Sequence, residues 1–403
     1  MASQLLTTFL TLLVAGALHY GFWRGMFVAT QCSARVRRWS AGYLVISCLS
    51  VPLTIWLPRL GLSAIGRRVV WFSMPSMAVV GLTCLAMLFI KAPLWLGRIA
   101  QRITRQRTGA TAVPTDAVLT RRQLFTRATS GAAAVAGTLA VARGVANARG
   151  EHIIECLEVT LPGLPRALDG FRIVQLSDLH VGLTIAQDFV QRVVDRANAL
   201  QPDLVVLTGD LVDGKVHELR DDIAPLAQLH ARHGVYAITG NHEYYSGADA
   251  WVAHLETLGI RFLRNQRVTI GAAKASFDLA GIEDRSAHHY AGHRADLSAA
   301  IAGRDPTRAI VLLAHQPRQA HEAAARGLPL VLSGHTHGGQ IWPWHLLVWI
   351  QQGGLISGRY QLQATTLYVN RGCGYVGPPV RLGAPLEIAE ITLRSPELGR
   401  EQP

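Results

Sequence analysis

The 403-residue chain predicts two architectures in tandem: an N-terminal region of three to four apolar helices, then an α/β domain. Two asymmetries carry that expectation. Residues 1–150 hold 17 Lys+Arg against one acid, Asp116, a balance of +16, whereas residues 151–403 hold 22 against 26 Asp+Glu, a balance of −4. Histidine is skewed the other way, with His19 alone in the first part and the other 15 afterwards. A basic stretch that is also apolar reads as membrane helices joined by charged loops, not as a solvated arm that grips nucleic acid. No nucleic-acid partner is expected, and metal chemistry belongs to the second part. A length of roughly 150 residues per domain allows two or three units.

In residues 1–95, three apolar runs at 5–23, 42–57 and 69–90 approach the length needed to cross a ~30 Å hydrocarbon core; the second is short and contains Pro52. Residues 96–150 read as an Arg-rich cytoplasmic loop followed by an Ala/Gly/Val run at 128–142. Thr120-Arg121-Arg122-Gln-Leu-Phe125 ahead of that run, and Ala146-Asn-Ala148 behind it, resemble a twin-arginine export signal with its cleavage site. The same segment also reads as a fourth span flanked by positive-inside arginines, and both readings stay open. Either way the topology is the same. The stretches 24–38 and 98–127 hold 4 and 7 arginines against 3 at 59–68, so the richer loops are expected in the cytoplasm and everything after residue 150 on the outer side of a bacterial inner membrane. Cysteine is sparse and without C-x-x-C spacing, which suggests unrelated thiols and no disulfide framework.

From Glu151 short β-rich runs alternate with helical stretches. Strands are expected at 171–177, 204–208, 235–239, 309–313 and 328–332, with a helix at 188–200. Each strand runs into a polar cluster: Asp178 and His180; Asp210 and Asp213; Asn241, His242 and Glu243; His315; His335 and His337. Groups carried on strand ends converge at one edge of a sheet, where open α/β folds bind ligands. Carboxylate, imidazole and amide oxygen suit Mn, Fe or Zn, and the lack of thiolates argues against a structural zinc. A carboxylate such as Asp210 can bridge two cations. Alone, an Asp-x-His is commonly a satisfied polar pair and a Gly-Asn-His a turn. Two histidines spaced by two, as in Gly334-His335-Thr336-His337, are less ordinary, because burying them without a partner or a metal costs desolvation.

The ordered set resembles the calcineurin-like metallophosphoesterase superfamily over residues 170–390, and Gly338-Gly339-Gln340 with the Arg371-Gly-Cys-Gly-Tyr-Val-Gly-Pro-Pro-Val-Arg381 run resembles its bacterial membrane-associated branch. The resemblance implies a four-layer α/β/β/α sandwich across 151–403 and two divalent ions. It further implies that Asp178, His180 and His337 bind one ion, that Asn241, His315 and His335 bind the other, and that Asp210 bridges them. His242 would sit beside the phosphoryl group and protonate the leaving oxygen.

Other features have plainer readings. Gly372-x-Gly374-x-x-Gly377 matches a dinucleotide fingerprint in letters, but Pro378 and Pro379 follow where a helix should start, so a turn at the pocket rim is expected. His288, His289 and His293 read as a solvated loop. Asp213 and Glu243 read as groups that orient ligands. The Trp342–Ile350 run is either core or an element that dips into the membrane interface or binds an acyl chain. The expected function is a membrane-anchored phosphoesterase acting on a phosphodiester or pyrophosphate, with membrane lipid as a partner. One alternative is a UDP-2,3-diacylglucosamine-type pyrophosphatase, whose cytoplasmic substrate conflicts with the expected topology; another is a non-catalytic phosphate-binding membrane scaffold.

Overall fold

The computed structural model describes residues 2–108, 116–272 and 275–396. It divides into two compact units, one of residues 1–146 with 377–380, the other of 147–376 with 381–403.

Most of the described residues of the first unit lie in four helices: α1 (Ala2–Trp23), α2 (Ala34–Arg59), α3 (Ser63–Thr108) and α4 (Asp116–Arg149). Some polar side chains inside it find partners on neighbouring helices. His19 on α1 contacts Ser47 Oγ on α2 at 2.9 Å, and Lys91 on α3 donates to Ser130 Oγ on α4 at 3.2 Å. Among the described residues one stretch, Ala64–Pro93, is long and apolar enough to cross a membrane. That is fewer than the three to four spans expected. The helices at the other positions carry arginines near their ends, as in α2, or an Ala/Gly/Thr-rich middle, as in α4. In the Arg-rich stretch 98–127, α3 continues to Thr108 and α4 begins at Asp116, so its arginines lie on helical backbone; residues 109–115, which hold no arginine, fall outside the described residues. Arginine is a good helix former, and charge counting takes no account of that.

The second unit holds two six-stranded sheets. The first comprises β1 (Ile153–Thr160), β2 (Phe171–Leu176), β3 (Leu204–Leu207), β4 (Val235–Ala237), β5 (Ile260–Phe262) and the last strand, β12 (Glu387–Arg394), in the order β1-β12-β2-β3-β4-β5. The second comprises β6 (Gln266–Ala272), β7 (Ala275–Gly281), β8 (Ile310–Leu313), β9 (Leu330–Ser333), β10 (Gly358–Leu362) and β11 (Thr365–Val369), in the order β10-β11-β9-β8-β7-β6. Strands β2 to β5 pair in parallel, as do β7, β8, β9 and β11. Parallel strands are covered on both faces, which is why β3, β8 and β9 are unbroken buried runs.

Alternation along each strand assigns residues to three apolar layers. Val174, Leu176, Val205 and Leu207 pack with Phe189, Val190, Val193 and Val194 of α5 (Gln187–Ala199), and with residues of α6 (Val216–Ile223) and α8 (Ala248–Thr257), which follows the six-residue α7 (Asn241–Ser246). Ile173, Leu204 and Val206 face Leu279, Val311, Leu313 and Leu332 of the other sheet. Ile310, Leu312 and Val331 pack on their far side with α9 (Leu297–Ala300) and α10 (Ala320–Ala325). Helices, sheet, sheet and helices thus form four layers. The remaining helix, α11 (His345–Gln351), has no buried residue.

Candidate metal centre

The loops after β2, β3, β4, β8 and β9 meet at one edge of the two sheets. The crossing is made by backbone: His335 N, from the second sheet, donates to both carboxylate oxygens of Asp178, from the first, at 2.9 and 3.0 Å. Gly334 is required there, because an added Cβ would fall on Ser177 Oγ and the Asp178 carboxylate. Asp178, His180, Asp210, His335 and His337 all have φ between 51° and 72°. Left-handed backbone at non-glycine residues costs on the order of 1–3 kcal/mol each and persists where surrounding structure imposes it. Five such residues at one sheet edge mark the place where the fold stores strain.

Three groups of potential ligands form there: Asp178, His180 and His337; Asp210, His315 and His335; and His180, Asp213 and His242, the ligand atoms within each group lying no more than 4.8 Å apart. In the first, the Nε2 atoms of His180 and His337 are 3.0 Å apart, and His337 Nε2 is 3.5 Å from Asp178 Oδ1. In the second, His315 Nε2 lies 3.1 Å from Asp210 Oδ2. Asn241, at the start of α7, is buried nearby, and the backbone N of His242 donates to Asp210 Oδ1 at 2.8 Å.

Neighbouring groups fix which atom each ring presents. His180 Nδ1 is held by Asp213 Oδ1 at 2.9 Å and His315 Nδ1 donates to the Thr208 carbonyl at 2.7 Å, so both rings turn Nε2 toward the cluster, the arrangement by which metal-binding histidines are oriented. Asp213 Oδ1 also meets His242 Nδ1 at 2.6 Å, so one carboxylate holds two rings. Glu243 accepts from the backbone N of Asp210, Leu211 and Gly240 at 2.9, 2.6 and 2.6 Å, which fixes the loop carrying Asp210.

Protonation follows burial and charge. Burial pushes the Asp210 carboxyl up, but His315, His242 and His180 outweigh it and hold it well below the usual carboxylate range. Burial, and then the nearby His315 charge, lower His335 to about 3; burial, His180 and Arg381 lower His337 well below an ordinary histidine. Both are neutral at pH 7, the form that donates a lone pair. Burial also opposes charge on His315, but the Asp210 carboxylate wins and lifts it well above the ordinary value, so a cation binding there displaces a proton. Burial lowers His242 too, yet its bond to Asp213 and the charge of Asp210 raise it to about 9.

The donor set fits divalent cations on one further observation. Asn241 Oδ1 and His335 Nδ1 are buried without a hydrogen-bond partner, and His315 Nε2 meets only the Asp210 carboxylate; an orphaned buried polar atom costs about 1–3 kcal/mol. Two such atoms beside that pair, all capable ligands, are what a cation would satisfy.

Every candidate named from sequence therefore lies at this edge. Arg381 is the contributor sequence reasoning missed. Fully buried, it donates through Nη2 toward His337 Nδ1 at 3.0 Å and through Nη1 to the Arg371 carbonyl at 2.7 Å. Its place in the final motif gave a hint of importance but none of what it touches. Gly372-Cys373-Gly374 is not a dinucleotide loop: Cys373 N and Gly374 N donate to the Ser177 and Asp178 carbonyls at 2.8 and 2.9 Å, bracing the first ligand loop. His288 and His289 are exposed, whereas His293 is half-buried and 3.3 Å from Glu283 and 3.4 Å from Asp249.

Known proteins resemble this chain in sequence. The calcineurin-like phosphoesterase family model matches residues 171–339. A cattle (Bos taurus) protein named transmembrane protein with metallophosphoesterase domain is 39% identical over 264 residues, 62% of this chain and 59% of its own length. The zebrafish (Danio rerio) protein of that name is 35% identical over 333 residues, 80% of this chain and 74% of its own. The uncharacterized metallophosphoesterase YkuE of Bacillus subtilis is 34% identical over 288 residues, 69% of this chain and 98% of its own. The chain thus spans about three fifths of the cattle relative.

Proposed function

The chain belongs to the calcineurin-like metallophosphoesterase family, and from that premise we propose that it is a membrane-anchored phosphoester hydrolase acting on a phosphodiester or pyrophosphate of a lipid or nucleotide head group. The observation that carries the reading is the pair of orphaned ligand atoms, Asn241 Oδ1 and His335 Nδ1, beside the His315–Asp210 pair. Asp178, His180 and His337 would hold one divalent ion, Asn241, His315 and His335 the other, and Asp210 both; Mn, Fe and Zn all suit this donor set. Such a pair of ions, when bound, activates water and neutralises phosphoryl charge.

The protein's own groups supply the rest. Asp213 occupies His242 Nδ1, which leaves Nε2 as the atom that can face a substrate. With its pKa raised to about 9 the His242 ring is charged at pH 7, and a charged imidazole can give its proton to a departing oxygen. Glu243 holds the Asp210 loop while this happens, and Arg381 holds His337. Membrane attachment rests on Ala64–Pro93 and on the names of the relatives; the further spans, the twin-arginine signal and an extracytoplasmic site rest on the arginine distribution.

The test uses the full chain purified in detergent, loaded with Mn, on bis-p-nitrophenyl phosphate, a phosphomonoester and a pyrophosphate. Hydrolysis of at least one, abolished by Asp210→Asn, is expected. Equal rates for wild type and variant on every substrate would sink the catalytic reading. A reporter active only outside the cytoplasm, fused after Pro403, tests the topology.

A further inference from the structure

Residues 341–350, Ile-Trp-Pro-Trp-His-Leu-Leu-Val-Trp-Ile, contain no Asp, Glu, Lys or Arg. Trp342, Trp344, Leu346, Leu347, Trp349 and Ile350 are each 45–67% exposed, so of the two readings open from sequence, core is excluded. Single exposed apolar residues are ordinary on a soluble surface; six within nine positions are not. The segment is also firmly seated. Trp342 N donates to the Leu382 carbonyl at 2.8 Å, and Gly339 packs so tightly on α11 that an added Cβ would strike His345. The patch therefore begins five residues after His337, on the turn that carries that ligand.

Charge is distributed to match. The domain as a whole is acidic, yet residues 323–386 hold no acid; of their four arginines Arg381 is buried and Arg371 is paired with Glu387, which leaves Arg326 and Arg359 exposed. Arg318 closes the end of α11, donating from Nη1 to the Gln351 carbonyl at 3.2 Å. Tryptophan favours the boundary between head groups and acyl chains, and basic residues favour anionic leaflets. A second copy of the chain is a poorer occupant, since a stable protein interface takes roughly 20–30 residues a side, far more than this run supplies.

We propose that α11 and the Trp342–Trp344 turn dock the catalytic domain on the surface of an anionic phospholipid bilayer. The helix lies in the plane of the membrane with its apolar side chains about 5–10 Å into the head-group boundary. This contact is separate from any spanning helix, and it holds whether or not the metal centre hydrolyses the substrates named above. Its consequence is positional: the strand edge bearing His335 and His337 is held near head-group height.

The experiment places a spin label at Leu347→Cys in full-length Cys156→Ser protein, with a Glu256→Cys label as the exposed reference and the signal of the unsubstituted Cys156→Ser parent subtracted. Each is reconstituted into vesicles of phosphatidylcholine with or without phosphatidylglycerol, and collision rates with oxygen and with a water-soluble nickel chelate are read. The expected result is a several-fold fall in nickel collisions and a rise in oxygen collisions at 347 relative to 256, greater with phosphatidylglycerol, and reversed by Leu346→Glu with Ile350→Glu. Equal nickel access at the two positions would overturn the proposal. So would dipolar broadening between labels on two copies, which would make the patch a self-association face. Equal protection in pure phosphatidylcholine would overturn the anionic preference.

Discussion

Asp178, His180 and His337 engage other protein groups through their polar atoms, whereas Asn241 and His335 leave one ligand atom each without a hydrogen bond and His315 Nε2 meets only the Asp210 carboxylate. The first set is cross-braced by Asp213, Arg381 and the His335 backbone. The second is held from behind, as His315 is by the Thr208 carbonyl, and leaves Asn241 Oδ1 and His335 Nδ1 bare. The difference teaches that the cost of orphaned ligand atoms falls on the second set. In the proposed two-metal centre the first shell is kept in shape by protein, and the second is relieved by its cation.

The largest expected effect falls on the group common to both shells. Asp210→Asn removes half the anionic charge that opposes both cations and the partner of His315, and activity is expected to drop to background, read as kcat/KM on a chromogenic phosphodiester. Retained activity would mean the shells do not share this residue.

Next in size is Asp213→Asn, which loosens His180 in the first set and the His242 ring beside it. Loss of such an orienting group typically costs 10–100-fold. The pH dependence sharpens the assignment. A proton donor raised to about 9 is in its working form below that pH and lost as pH rises through it, so the wild-type alkaline limb should lie near 9 and move to lower pH in the variant. An unmoved limb would detach His242 from proton donation.

Asn241→Ala should change sign with metal. Without cation it removes an orphaned oxygen whose burial costs about 1–3 kcal/mol, so stability is unchanged or higher; with cation it weakens binding. His180→Ala should destabilise in both conditions, because it strips Asp213 of a partner. Thermal melts with and without chelator read both. Parallel behaviour of the two variants would erase the contrast between the shells.

The smallest effect lies outside both. His152 is lowered to about 4, chiefly by burial and despite its bond to the Cys373 carbonyl. An unfolded histidine titrates near 6.5 and binds the proton the folded one refuses, so stability falls as pH drops from about 6.5 to 4, by on the order of 3 kcal/mol at most. His152→Gln should flatten that slope in denaturant titrations while leaving metal binding alone.

Much of the second unit is legible in the residues themselves. Phe171–Leu176, Leu204–Leu207 and Ile310–Leu313 are strands because compact apolar runs bounded by polar turns have no other economical burial, and their ends carry the ligands by chain connectivity alone. The edge strands were less visible. β10 alternates half-buried with exposed residues, and β12 returns from the far end of the chain to sit between β1 and β2. Arg381 was illegible for a similar reason: it lies 44 positions from His337, and only tertiary packing brings them together. In the first unit, charge counts read the 98–127 region as loop, while its backbone follows helix propensity.

The most direct test is the metal content of the purified full-length chain, measured by inductively coupled plasma mass spectrometry after equilibration with Mn and removal of excess. Two ions per chain are predicted for wild type, with one lost on Asn241→Ala combined with His335→Ala and the other retained by Asp178, His180 and His337. A single ion in wild type, or loss of both in that variant, would contradict an account in which two distinguishable shells share Asp210.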